Sequence, residues 1–392
     1  MEPKVVQKCL LDSAKSHSNG ESLWQYDKKY SYHKQSGSGN NWALGYLYYS
    51  QEEYEETHSR IQSLLESLDY FGGFQVFSSL AGGTGSGLGA HIVERLREDF
   101  SKSNMMNVAV WPYQSGEVIL QNYNVLLTLN SLIQDSDGVI PIYNDEIMFV
   151  CRELLKNKRP SYKVMNTVIA QQLLSVMFPF SNSTKDKMSL WSGSNSNILS
   201  EIVRQLCIYP QFKLLSLKNI PQCDNKTIEF NTDLWEGMIQ RIRQMIITNG
   251  NEHKINWSIK AENPSTYSTK FIKSLSHLMV IRGDKVFDLP GSFESDYFGI
   301  GSLYTKKYGG SVDNKYAYFR DSHRIHGHEK SIGVLSNNQS HCQILESTLR
   351  KATMMFHEKA FLHHYEKFGV NADKFNEMFL TCETTLAEYK GL

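Results

Sequence analysis

Apolar positions recur in two alternating rhythms along the first half of this chain. From Glu52 to Leu68 they follow a helical period, with Ile61, Leu64, Leu65 and Leu68 on one face. Phe74 to Leu80, "FQVFSSL", is then a short apolar run of strand length. A glycine-rich stretch follows, after which Leu88, Ile92, Val93 and Leu96 return to helix spacing. "NVAVWPY" predicts a strand, Val118 to Leu132 a helix, and "GVIPIYN" a further strand. Asp145 to Leu155 predicts another helix, with two acids at its positive end. Strand and helix alternating in this way imply a parallel sheet with helices on its faces and right-handed crossovers. Ser161 to Phe178 predicts a longer helix, with Met165, Ile169, Leu173 and Val176 on one side and Pro179 ending it.

The second half is less regular. "SNSTKDKMSLWSGSNSN" is a polar stretch that reads as a hinge. Beyond it "FKLLSLKNI", "LMVIRG" and "KSIGVLSN" predict strands, and Asp233 to Ile247 a helix. The last fifty or so residues predict two helices. Leu345, Leu349, Ala352 and Phe356 line the first; Phe375, Phe379, Cys382, Leu386 and Tyr389 line the second. Nearer the start, "SYHKQSGSGNNWALGY" is a polar glycine–serine loop that ends in aromatics, and Met1 opens a segment that reads as a strand-to-helix junction.

Composition narrows the classes. The 392 residues suggest two or three domains, and 41% hydrophobic residues supply core material for a globular protein. Lysine plus arginine and aspartate plus glutamate each number 41, which excludes a nucleic-acid binder acting by bulk charge. No apolar run approaches the roughly 20 residues of a membrane span. The six cysteines are scattered without a CxxC, as free thiols in a reducing compartment would be.

The chemistry concentrates in "AGGTGSGLGA", Ala81 to Ala90. A glycine loop between strand and helix exposes successive backbone N–H groups at the positive end of the helix, a natural anion nest. Glycine permits positive φ and close approach of the backbone, and Thr84 and Ser86 add hydroxyl donors. Phosphate is the expected guest. A Walker loop fails, because Leu88 rather than Lys follows Gly87. A dinucleotide loop is met loosely by Gly85, Gly87 and Ala90, which keeps an NAD(P)-dependent oxidoreductase open; its ribose-binding acid is poorly supplied by Glu117. The bland alternative is a tight turn serving helix–strand packing.

The whole string, "GGTGSG" after a strand and before a helix, resembles the phosphate-loop signature of the tubulin superfamily. "SGSGNNWALGY" is similar to an earlier asparagine-bearing phosphate loop of that family, "VILQNYNVLLTL" to its sugar-contacting loop and following helix, and "YNDEIMFVCREL" to its guanine-contacting stretch. "MFHEKAFLHHYEKFGV" is similar to its penultimate helix and the loop after it. The matches run in order along the chain and look most like the delta branch, with epsilon the nearest alternative. The resemblance implies an α/β fold: a GTPase domain with a parallel sheet (1–161), a core helix (162–181), a mixed α+β intermediate domain (182–340) and C-terminal helices (341–392).

Site residues follow from the same resemblance. Gly82, Gly83, Thr84, Gly85 and Ser86 would cradle the phosphates, and Asn40 would meet the terminal one; on its own Asn40 is an ordinary turn asparagine. Asn144 would read the guanine edge with an amide that both donates and accepts. Tyr162 would stack on the base, its plain alternative being core packing, and Asn166 would reach the same base one turn on. Glu117 would bond the ribose hydroxyls. Glu2 would lie near magnesium, which takes oxygen ligands and keeps several waters. Glu201 would enter a neighbouring subunit's site and position the attacking water; an acid in a first helical turn is also simply good dipole chemistry.

Three departures are visible. Ala81 replaces the first glycine of the usual run, and Gln121 stands where the family often has a ribose-contacting glutamate. The family's first strand, first phosphate loop and first helix have no counterpart, so the chain reads as N-terminally truncated relative to the family. The expectation is a GTP- or GDP-binding structural protein of the cytoskeleton, with Mg2+, partnered by other tubulin subunits, microtubules and centriolar proteins. It would act in the cytoplasm at centrioles, basal bodies and the cilium, with no nucleic acid and no membrane span. The resemblance leaves assembly-dependent GTP hydrolysis open, and with it a nucleotide-free pseudo-tubulin serving only as an interaction module.

Overall fold

A computed structural model describes residues 3–14, 26–33, 37–48, 50–116, 118–178, 197–222, 234–252, 255–259, 271–308 and 311–392. Helix α1 spans Pro3–Ala14, α2 Ser50–Leu65, strand β1 Phe74–Ser79, α3 Gly89–Asp99, β2 Met105–Trp111, α4 Gln121–Asp135, β3 Gly138–Tyr143 and α5 Asn144–Phe149. Then come α6 (Tyr162–Met177), α7 (Ile198–Leu206), β4 (Leu215–Ile220), α8 (Trp235–Thr248), β5 (Ser274–Gly283) and α9 (Phe293–Phe298). The chain closes with β6 (Tyr316–Asp321), β7 (Lys330–Asn338), α10 (Cys342–His357), α11 (His363–Glu366) and α12 (Ala372–Lys390). Short π-helical turns at Leu44–Tyr48, Thr84–Leu88 and Val150–Leu154 precede or extend regular helices. None of the described helices is long and apolar enough to cross a membrane.

The alternation read from the sequence is present, with shifted boundaries. The helix expected from Asp145 is α5 followed at once by the Val150–Leu154 π-turn. The polar hinge stretch lies outside the described residues except for Asn197, which caps α7 by accepting from the Leu199 N–H at 3.0 Å. The opening segment is a helix, α1. Strand β6 went unread because its sequence, "YAYFRD", alternates half-buried and buried positions with no apolar run to announce it.

By contact density the chain forms two compact units. The first comprises Met1–Ser103, Ser115–Asp135 and Thr348–Cys382. Its interior is built on Trp42, Leu80, Val93, Leu96, Tyr123, Leu126 and Phe375, each at most 2% exposed. Tyr123, Tyr365 and Phe375 meet edge to face, with centroids 5.0–5.6 Å apart, a favoured aromatic geometry.

The second comprises Asn104–Gln114, Ser136–Ser347 and Glu383–Leu392. Strands β2 and β3 pair in parallel, Met106 opposite Gly138 and Trp111 opposite Tyr143. A mixed sheet runs β4-β7-β5-β6, antiparallel at β4–β7 and β5–β7 and parallel at β5–β6. All ten residues of β5 are buried, as a strand covered on both faces requires. Helix α6 packs on β7 and β4, placing Met165, Val168, Leu173 and Val176 in the apolar interior and leaving Lys163, Asn166 and Leu174 exposed.

Candidate nucleotide-binding site

In the first unit the glycine stretch and the earlier asparagine-bearing loop are fitted backbone to backbone. A Cβ on Gly83 would overlap Ser38 Oγ and the carbonyl of Asn41; one on Gly87 would overlap the carbonyl of Trp42; one on Gly45 would overlap the carbonyl of Gly83. None of Gly82, Gly83, Gly85, Gly87 or Gly89 has a positive φ. Close approach, not unusual torsion, is what Gly83 and Gly87 supply. The left-handed residues belong to the partner loop: Gly39 at φ 54° and Asn40 at φ 56°, asparagine being among the few side chains that tolerate this region.

A buried asparagine absent from the sequence reading holds the two loops together. Asn124, on α4 and fully buried, donates from Nδ2 to the carbonyls of Asn40 at 2.7 Å and Ala81 at 2.8 Å. Its Oδ1 accepts from the Trp42 N–H at 3.2 Å and the Tyr365 hydroxyl at 2.7 Å. All four hydrogen-bonding positions of the amide are therefore used. The signal was present as the second asparagine of "QNYN", but a polar residue among helix apolars reads equally as a surface position. Asn41 completes the arrangement: Oδ1 accepts from the Ala43 N–H at 2.8 Å, and Nδ2 donates to the carbonyl of His364 at 2.8 Å.

The residues expected at the phosphates lie on these two adjoining loops. Asn40 is exposed, with its Oδ1 beside Gly82. Gly82, Thr84 and Gly85 are partly open to solvent. Within the Thr84–Leu88 turn the Gly87 N–H bonds the carbonyl of Gly83 at 2.7 Å, and the amides that open a helical turn are those without an intrahelical partner. Ser86, by contrast, is fully buried and its hydroxyl donates to the carbonyl of Gly82, so it shapes the loop from behind. The Thr84 hydroxyl pairs with Ser38 Oγ at 2.9 Å. Neither loop contains lysine or arginine. An anion here would be met by amides and hydroxyls. Gln121 is buried at the start of α4, its side chain beside Gly116, which has φ 67°. Glu2 and Glu117 lie outside the described residues.

Within the second unit, Asn144 opens α5 directly after β3 and is half-buried; among the described residues its amide has no partner. The helix that carries it is well held. Glu146, in its first turn, pairs with Lys218 at 3.1 Å, and Asp145 accepts from the Gln114 N–H at 2.9 Å. Tyr143, which precedes Asn144, bonds through its hydroxyl to His341 Nδ1 at 2.7 Å. Tyr162, at the first position of α6, is 65% exposed, which removes core packing as its role. Asn166 is exposed on the same helix one turn on. Glu201 sits in the first turn of α7, where Arg204 bonds its carboxylate at 2.5 and 3.1 Å.

Comparison with known proteins decides the family. Residues 1–152 match "Tubulin/FtsZ family, GTPase domain". Over its whole length the chain is 34% identical to the tubulin delta chain of Canis lupus familiaris, 85% of which is covered. The tubulin delta chain of Homo sapiens is 33% identical over the same shares. The chain belongs to the tubulin family. A tubulin gamma chain, from Eremothecium gossypii, matches more locally, at 36% identity over 140 residues, or 36% of this chain and 30% of that one.

Proposed function

We propose that this tubulin family member binds GTP or GDP with Mg2+ and serves as a cytoskeletal subunit of the delta type. The observation that carries the nucleotide reading is the interlocking of the two glycine loops. Gly83 and Gly87 leave no room for side chains, and Asn124 bridges the loop carbonyls from behind. Such close backbone packing leaves Asn40, Gly82, Thr84 and Gly85 as a lysine-free amide surface suited to phosphate. On this reading Asn144, Tyr162 and Asn166 recognise the guanine, Glu117 the ribose, and Glu2 lies near the metal. Residues 1–161 are then the nucleotide domain, 162–181 the core helix, 182–340 the intermediate domain and 341–392 the C-terminal helices. Resemblance to the delta branch supports partnership with other tubulin subunits and centriolar proteins, and a place at centrioles, basal bodies and the cilium.

The test is the nucleotide that the protein holds. Purified under native conditions with Mg2+, it should release guanine nucleotide on denaturation, and GTP should raise its melting temperature where ATP and NADH do not. Release of a nicotinamide dinucleotide, or equal stabilisation by ATP, would overturn the guanine reading. For location, a fluorescent fusion should concentrate at centrioles; uniform cytoplasmic signal in cells that have centrioles would remove the delta-type role.

A further inference from the structure

We infer that Asn124 and Tyr365 form a latch that couples nucleotide on the two glycine loops to the turn between α10 and α12, around residues 359–370. This rests on the proposed nucleotide function, in which Asn124 braces the two loops; Tyr365 and the turn it belongs to had no part in it.

The contacts converge on that turn from three directions. The Tyr365 hydroxyl donates to Asn124 Oδ1 at 2.7 Å, and the same oxygen holds the Trp42 N–H. Asn41 Nδ2 donates to the carbonyl of His364 at 2.8 Å. The Tyr123 hydroxyl donates to the carbonyl of Ala360 at 3.3 Å. Each glycine loop is therefore tied to the turn within a single intermediate: the Ala81 loop through Asn124, the Asn40 loop through both Asn124 and Asn41.

The geometry makes the tie tight. Asn124 and Tyr365 are both fully buried, so a bond lost between them is not replaced by water. The Asn124 amide has no spare position: moving either loop away from it, or the turn away from Oδ1, leaves a buried polar group unpaired. The turn is also held against its own preference. Lys359 and Phe361 stand at φ 52° and 61°, a left-handed conformation that is strained for a bulky side chain such as phenylalanine. A turn kept strained by three bonds to the loop scaffold will relax when those bonds loosen, and tighten when a ligand orders the loops. By linkage, whatever shifts the turn must shift nucleotide affinity in the same proportion.

Amide hydrogen exchange on the full chain, with and without Mg2+–GTP, reads the coupling directly. The expected result is slower exchange at 38–46 and 81–88, where phosphate binds, and also at 359–370, which no part of the nucleotide touches on this reading. Tyr365→Phe keeps the ring packing and removes only the hydroxyl. It should weaken GTP about three- to tenfold, the worth of one buried hydrogen bond, and abolish the protection at 359–370 while keeping that in the loops. Gln134→Ala is the control. It breaks the Gln134–Glu377 bond of 2.9 Å between α4 and α12 in the same unit without touching either loop, and it should leave GTP affinity unchanged. Loop protection without any effect at 359–370 would overturn the latch and leave nucleotide binding standing. Equal loss of affinity in the Tyr365 and Gln134 variants would reduce Tyr365 to general stability and overturn it likewise. Protection nowhere would sink the nucleotide reading and the latch together. Should Tyr365→Phe fail to fold, the exchange pattern of the wild-type protein decides alone.

Discussion

Gly87 stands so close to Trp42 that a Cβ on the glycine would overlap the carbonyl oxygen of the tryptophan and crowd the Tyr46 amide at 2.9 Å. The obstacle is backbone, which cannot swing aside as a side-chain end can. Gly87→Ala should therefore force the two loops apart, at a cost of at least the 1–3 kcal/mol typical of overpacking. Gly82→Ala is the contrast: the nearest atom to its Cβ is Asn40 Oδ1 at 3.8 Å, and stability should stay within about 0.5 kcal/mol. Urea unfolding of the two variants checks this; equal destabilisation would mean the loops are not fitted as described.

Asn144 gives a test of the base. Its side chain has no protein partner among the described residues, so Asn144→Leu should leave the fold intact. GTP affinity should fall by about 1–3 kcal/mol, the cost of leaving polar edges of the base unpaired. Isothermal titration with GTP and with a nucleotide lacking the guanine edge separates the outcomes. An equal drop for both would mean that Asn144 acts on the loop and not on the base.

How much of this was legible beforehand depends on what each residue does. The alternating elements and the glycine string are local patterns, and β2, β3 and α6 stand close to where periodicity puts them. The purpose of the glycines was not legible. Torsional freedom and close approach leave the same letters in a sequence, and only the neighbouring backbone of Ser38 to Tyr46 distinguishes them. Ser86 looked like a phosphate donor for the same reason; a hydroxyl that turns back on Gly82 reads identically. Asn124 was missed because its four partners come from residues 40, 42, 81 and 365, separations over which no one-dimensional pattern extends.

Two buried histidines set the acid limit of the second unit. Burial pushes His277 and His341 down to about 3, with Lys218 adding to the effect at His341. Both are neutral when folded and would take up a proton when unfolded below about pH 6.5. The unfolded state then binds more protons, so stability rises with pH across this window. It is complete above about pH 6.5 and is lost as pH falls from there towards 3, by roughly 1.4 kcal/mol per pH unit for each ring. Urea midpoints at pH 7, 6 and 5 should decline in step. His341→Gln, which can still bond Tyr143, should flatten the decline by about half. A midpoint indifferent to pH between 7 and 5 would show that these rings are protonated in the fold.

Glu201 offers a test of whether the proposed GTP binder is also a polymer-dependent GTPase. Its side chain is 17% exposed and its carboxylate is held by Arg204 one turn on, as a stabilising acid in a first helical turn would be. To orient water in a neighbouring subunit it must face that neighbour, and in-line attack depends on such positioning. If it does so, the isolated subunit binds GTP and turns it over slowly, and phosphate release per subunit rises with protein concentration. Glu201→Ala then leaves GTP affinity unchanged and cuts the concentration-dependent rate by about 10²–10⁴, the usual contribution of a water-orienting group. Arg204→Ala separates the roles further. It loosens the helix by at most about 1 kcal/mol, since the pair is partly exposed, but keeps the carboxylate, so turnover should survive. A Glu201→Ala variant that hydrolyses normally, or a rate independent of concentration, would leave the acid with its helix and its arginine alone.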